Sequence, residues 1–131
     1  PAKPSAKNVK RIVFCSGKVY FDLAAERDEL KQKEVALVRV EQLYPFPREE
    51  LQAIIKRYSS AKEVVWCQEE PMNQGAWFQI RHHIQACIKK DQQLLYVGRA
   101  TSASPAVGYY QVHLQQQKQL VSDALTLGQG L

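Results

Sequence analysis

Two adjacent carboxylates, Glu69 and Glu70, close an apolar run. A carboxyl group whose pKa is raised by burial can serve as a general acid or base. At a strand end, however, consecutive side chains diverge, so the two carboxylates face different neighbours. The alternatives are a cap on a nearby helix or an ion pair with Lys18 or Arg99. His82 and His83 are also adjacent. On a helix they project about 100° apart and cannot chelate as an i, i+4 pair would. They read as exposed or half-exposed helix surface, and no metal site is expected. Cys15 and Cys67 fall inside apolar runs and Cys87 on a helical face. Three scattered cysteines make no disulfide framework, so reduced packing thiols are expected, as suits the cytoplasm.

Phosphate-binding motifs are missing. The turn Ser16-Gly17-Lys18-Val19 has one glycine, where a dinucleotide fold shows G-x-G-x-x-G. A Walker loop needs an earlier glycine and Ser or Thr after the lysine, where Val19 stands. No nucleophile elbow or kinase loop occurs. Lys18 falls in the first turn of a helix, where a cation is unfavourable by about 0.3–1 kcal/mol. Arg99 follows a strand in the same way. Either an acidic ligand or partner docks there, or both cations reach Glu41, Glu69, Glu70 or water.

These residues must be placed by the elements around them. Residues 11–16, 35–40, 63–68 and 94–97 are short apolar runs and read as buried strands. Helical patterns follow. Residues 18–32 place Val19, Leu23 and Leu30 on one side. Pro47 opens a helix carrying Leu51, Ile54, Ile55 and Tyr58, with Glu49 and Glu50 at its positive end. Asn73 is the expected N-cap of a helix whose face is Trp77, Ile80, Ile84, Cys87 and Ile88. Ser104 and Pro105 are expected to start a last helix over about 111–126, with Leu114, Leu120, Val121, Ala124 and Leu125 apolar and Gly128 and Gly130 at its end. Gln115-Gln116-Gln117 reads as its solvated face.

Strands alternating with helices over such short spans require parallel pairing and right-handed crossovers. The expected fold is a three-layer, doubly wound α/β domain with strand order 2-1-3-4. All carboxyl strand ends then share one edge, where ligands and partners are engaged. The polar signatures at Ser16-Gly17-Lys18, Arg39-Val40-Glu41-Gln42, Gln68 to Gly75 and Gly98 to Ser102 gather there.

At 131 residues the chain makes one domain. Its net charge of +5 is concentrated in residues 1–11, which hold Lys3, Lys7, Lys10 and Arg11 and no acid. The remainder is almost neutral, without the basic stripe of a duplex reader. No apolar run is long enough to span a bilayer, so neither a nucleic-acid nor a membrane partner is expected. Residues 1–10, which begin at Pro1 without an initiator Met, read as a flexible linker or cloning remnant, and 11–131 as the domain. The chain reads as a piece of something longer.

Four segments carry a family likeness. They are Cys15-Ser16-Gly17-Lys18-Val19-Tyr20, residues 38–47 (Val-Arg-Val-Glu-Gln-Leu-Tyr-Pro-Phe-Pro), residues 66–77 (Trp-Cys-Gln-Glu-Glu-Pro-Met-Asn-Gln-Gly-Ala-Trp), and Gly98-Arg99 with Ser102-Ala103-Ser104-Pro105-Ala106. Over about residues 9–127 the chain resembles the carboxyl-terminal domain of the thiamine-diphosphate-dependent first component of the 2-oxoglutarate dehydrogenase complex, in its bacterial form. His113 and its neighbouring glutamines fit that form too.

The resemblance implies a transketolase-type carboxyl-terminal domain with a mostly parallel sheet of about five strands, often with one antiparallel edge strand. A fifth strand would then lie near 106–112. The parent enzyme of the tricarboxylic acid cycle decarboxylates 2-oxoglutarate and passes the succinyl group to a lipoyl arm of the dihydrolipoyl succinyltransferase core. Its thiamine diphosphate and Mg2+ sit between two other domains of a homodimer. The Gly-Asp-Gly…Asn motif that holds them is missing from this sequence. No catalytic or cofactor-binding residue is therefore expected here, and the chain alone should be inactive. The leading reading is a domain for packing and dimer assembly, with Gln68, Glu69, Glu70, Asn73, Gln74 and Trp77, beside Phe78, as docking candidates. The alternative is a module binding a nucleotide or acetyl-coenzyme A through Lys18, Arg39 and Arg99, with Glu41 alongside.

Overall fold

In the computed structural model, residues 4–99 and 109–131 are described. The elements are β1 (Arg11–Cys15), α1 (Val19–Leu30), β2 (Val35–Arg39), α2 (Arg48–Arg57), β3 (Glu63–Pro71), α3 (Trp77–Cys87), β4 (Gln93–Arg99) and α4 (Tyr109–Leu125), after a short 3-10 turn at Ala6–Asn8. The sheet order is β2-β1-β3-β4 and every pairing is parallel. Arg11, Val35 and Glu63 share one level of the sheet at its amino edge; Cys15, Arg39 and Cys67 share another toward the carboxyl edge.

Side chains alternate across the pleat, and this alternation builds two cores. Ile12, Phe14, Val64, Trp66 and Tyr96 pack against Leu51 and Ile55 of α2 and Trp77, Ile80 and Ile84 of α3. Val13, Cys15, Val65, Cys67 and Val97 pack against Val19 and Leu23 of α1 and Leu120, Val121, Ala124 and Leu125 of α4. Helices therefore cover both faces, as the sequence pattern requires of a parallel sheet. Burial pushes the Cys15 thiol up to about 12 despite the nearby Arg39 charge. Burial likewise raises Cys67, its partner across the β1–β3 pair. Both are free thiols.

Several expectations are corrected. Four strands, not five, pair among the described residues. Residues 109–112, inside the segment expected to hold a fifth strand, begin α4. Residues 106–108 lie outside the described residues, as does the expected start at Ser104 and Pro105. Asn73 does not cap α3, whose N-cap is Ala76, because β3 and its loop extend farther than the apolar run indicates. Leu30 is 58% exposed. Arg27 replaces it in the buried stripe of α1 and donates from Nη1 to the Val35 carbonyl at 3.4 Å. Within the stretch expected as a linker, Val9 is fully buried and the Lys10 amide donates to the Glu34 carbonyl at 2.7 Å.

The amino edge is closed by Arg11, which has no exposed surface. Its Nε donates to Glu63 Oε1 at 2.8 Å. Nη1 donates to the Asp123 and Ala124 carbonyls at 3.3 and 3.2 Å, and Nη2 to the Gln129 carbonyl. The Gly128 amide donates to both Glu63 carboxylate oxygens, at 3.1 and 2.9 Å. One guanidinium thus satisfies orphan carbonyls at the negative end of α4 and opposes its dipole. Replacing it leaves those carbonyls without a donor and the part-buried Glu63 carboxylate without its counter-charge. Arg11→Met should lower unfolding stability by about 3–5 kcal/mol, read by urea denaturation; an unchanged midpoint would show that the ion pair is ornamental.

Candidate functional site

The carboxyl edge gathers the turns after β1, β2 and β3 and the start of α4, and Gln68 organises its centre. The residue is 3% exposed. Its Oε1 accepts from Trp66 Nε1 at 2.9 Å and from the Trp77 amide at 3.2 Å. Its Nε2 donates to the carbonyls of Glu70 (3.2 Å), Pro71 (2.9 Å) and Gln74 (3.5 Å). One amide thus ties the strand, the loop and the first turn of α3. Gly75 lies against it at φ +61°, where an added Cβ would come 2.9 Å from Gln68 Nε2. At Gly98 a Cβ would collide with Tyr96 Oη and fall 2.7 Å from the Gln68 carbonyl. This close approach lets Tyr96 donate to the Arg99 carbonyl at 3.3 Å. Burial, with the Cys67 and Glu70 charges adding to it, pushes the Tyr96 hydroxyl up to about 12, although Gln68 acts the other way. Trp77 is 8% exposed and packs 5.2 Å from Tyr96. It is a core residue rather than a surface contact.

Arg99, 9% exposed, is held by α4. Nη1 lies 3.0 Å from His113 Nδ1 and donates to Gln116 Oε1 at 3.1 Å; Nη2 donates to Gln117 Oε1 at 2.6 Å. Gln117 Nε2 in turn donates to Glu69 Oε1 at 3.2 Å and Asp22 Oδ2 at 3.0 Å. Arg99 and Glu69 are therefore joined through a neutral amide instead of a direct ion pair. The polyglutamine stretch is not merely a solvated face: Gln116 and Gln117 join β3, β4, α1 and α4. Its signal was available in the sequence, because His113, Gln116 and Gln117 recur at i, i+3, i+4 and share a helix face.

The remaining candidates do not converge. Arg39 pairs with Glu41 at 2.8 Å, and its guanidinium lies 4.9 Å from the Phe21 ring centroid. Lys18 occupies the N-cap position of α1 and is exposed. Glu70, Asn73 and Gln74 are exposed around the loop. Glu69 and Glu70 face different surroundings, so the acid–base pair does not form. His83 is half-buried and stacks 4.8 Å from Phe46. Desolvation, then the neighbouring His82 and Arg48 charges, hold its imidazole below the ordinary value. Among the described residues no three His, Cys, Asp or Glu side chains come together to hold a metal.

Exposed aromatics other than Phe78 are the feature that reasoning from motifs missed. Phe21, Tyr44, Phe78 and Tyr110 are 59%, 61%, 47% and 68% exposed. Each lies in the turn or first helical turn after the carboxyl end of β1, β2, β3 and β4 respectively. Among the described residues every exposed aromatic is on this edge. Arg81 lies 5.1 Å from the Phe78 ring, so cations accompany these rings.

Fold and edge together define a doubly wound, three-layer α/β domain whose polar loop residues mostly brace the scaffold. The chain belongs to the family of 2-oxoglutarate dehydrogenase C-terminal domains, whose family model matches residues 1–125. It is similar to the 2-oxoglutarate dehydrogenase E1 components of Haemophilus influenzae (53% identical over 120 residues, 92% of this chain) and Azotobacter vinelandii (51% over 124 residues, 92% of this chain). The similarity to that of Coxiella burnetii is 51% over 127 residues, 95% of this chain. The chain spans 13–14% of the length of these relatives.

The bracing role of Gln68 has a direct test. Gln68→Leu removes the acceptor of Trp66 Nε1 and the Trp77 amide while keeping bulk. Leaving these buried donors unmatched costs about 1–3 kcal/mol each, so thermal unfolding should shift down by several degrees and Trp fluorescence should change. A variant with unchanged emission and midpoint would contradict the assignment.

Proposed function

We propose that this chain is the carboxyl-terminal domain of a 2-oxoglutarate dehydrogenase first component, and that its carboxyl sheet edge docks against neighbouring domains to build the enzyme's dimer. The observation that carries the reading is the row of exposed Phe21, Tyr44, Phe78 and Tyr110 along one edge. Large rigid aromatics with accompanying arginines are what protein interfaces favour over ordinary surface. A lone domain has no use for four of them in one row. Glu70, Asn73 and Gln74 supply polar contacts around the rings, while Gln68, Glu69, Trp77 and Arg99 hold the loops in shape.

The enzyme in this reading acts in the cytoplasm as a thiamine-diphosphate-dependent oxidoreductase of the tricarboxylic acid cycle, and its dimer joins the succinyltransferase core. None of the described helices is long and apolar enough to cross a membrane. Thiamine diphosphate and Mg2+ do not fit the residues present. The sequence has no Gly-Asp-Gly…Asn motif, and the described residues form no three-ligand metal cluster. In this reading the chain's part in turnover is structural. An acidic effector is not favoured at this edge, because Arg39 is paired with Glu41 and Arg99 is engaged by His113, Gln116 and Gln117.

Phe78→Ala and Tyr44→Ala combined should weaken the intact enzyme's dimer at least tenfold in sedimentation, since truncating a buried interface aromatic costs about 1–2 kcal/mol or more. The same pair should shift the isolated chain by no more than about 0.5 kcal/mol. Turnover per remaining dimer should be unaltered. An intact dimer with lost turnover would overturn the docking reading.

A further inference from the structure

A second surface lies away from the carboxyl edge. Between α1 and α4 runs an open groove of about 850 Å³. One wall carries Asp22, Glu26 and Glu29, and the other Leu114 and Val121, with Leu30 at the last turn of α1. Leu30 is 58% and Leu114 39% exposed. The acids are spaced i, i+4, i+7 on one helix, where like charges repel. None of the three makes an ion pair among the described residues; Asp22 accepts only from the neutral Gln117 amide. Lys118 is the single base lining the groove. A chain with net charge +5 therefore keeps an acidic strip beside exposed leucines.

We infer that this groove receives a short cationic amphipathic helix from elsewhere in the same enzyme polypeptide, with apolar residues on the leucines and Lys or Arg along the α1 carboxylates. The inference rests on the domain reading proposed above. Asp22 to Leu30 spans about 12 Å of α1, the length of two helical turns, and parallel or antiparallel helices pack 8–10 Å apart in such troughs. The uncompensated carboxylates select a basic occupant and reject phosphate surfaces of either nucleic acid or lipid. A second copy of this domain is a poorer occupant: of its α-helices only α3 carries a base and no acid, and that base is Arg81 alone, in a contact that would be head-to-tail rather than two-fold.

The test places a benzophenone amino acid at Leu114 in the intact enzyme and identifies photocrosslinks by mass spectrometry. The expected partner is a helical segment outside this domain, rich in Lys or Arg, in the same enzyme. Glu26→Lys with Glu29→Lys should reduce that crosslink at least tenfold. A crosslink to another copy of this domain, to an acidic segment or to no polypeptide, or one indifferent to the charge reversal, overturns the inference. If crosslinking fails while Phe78→Ala and Tyr44→Ala still loosen the dimer, only the groove assignment falls. If neither effect is seen, the docking reading falls with it.

Discussion

Arg11 enters β1 as a completely buried cation, and the arrangement of α4 follows from where its guanidinium can be satisfied. Burying a charge is costly unless it is paired and hydrogen-bonded. Glu63 on the adjoining strand supplies the counter-charge, and the Asp123, Ala124 and Gln129 carbonyls supply the remaining acceptors. The end of α4 and the segment after it are thereby fixed to the amino edge. Leu131 continues this attachment by exchanging backbone hydrogen bonds with Tyr96 on the outer strand, at 2.9 and 3.2 Å. At the opposite edge Arg99 binds His113, Gln116 and Gln117 of the same helix. Two arginines, one per edge, hold one helix at both ends.

That clamp explains why the carboxyl edge can present a defined surface. Parallel pairing delivers the turns after β1, β2 and β3 and the start of α4 to one side, but turns alone are pliable. Gln68 makes the β3–α3 loop rigid through five hydrogen bonds from one amide. The Gln117 amide bridges Arg99 to Glu69 and Asp22 without requiring either acid to approach the cation directly. With the polar side chains so engaged inward, Phe21, Tyr44, Phe78 and Tyr110 are left pointing to solvent. The edge is apolar at its tips and cross-braced beneath them, which gives the proposed docking surface a fixed shape.

The strands and their parallel pairing were legible because β-branched runs such as Val64-Val65 leave little choice but a doubly covered parallel sheet, whereas the family was legible only through the resemblance carried by segments such as residues 66–77. Local period told less where a charged residue was buried. Leu30 looked like core and Arg27 like surface, yet Arg27 reaches a strand-end carbonyl that Leu30 could not satisfy. The expectation for Asn73 followed N-cap preference, but Gln68 draws the loop past it and α3 starts after Ala76. Arg11 gave no sign of its role, because its partners are 52 to 118 residues away. The edge proposed for docking was expected as a place where the strand ends gather, through the polar signatures there. Of the exposed aromatics beside those signatures only Phe78 stood out as a contact; Phe21, Tyr44 and Tyr110 did not, since a lone Phe or Tyr ordinarily marks core.

The central claim is that the carboxyl edge, rather than the amino edge, is covered in the assembled enzyme. Hydrogen exchange compared between the isolated chain and the intact enzyme measures this directly. Amides in residues 17–22, 42–46, 69–79 and 109–113 should become markedly more protected in the intact enzyme, while those in 31–34, 58–62 and 89–92 should exchange as before. Protection confined to the amino-edge turns, or equal exchange of all these peptides in both forms, would contradict the account.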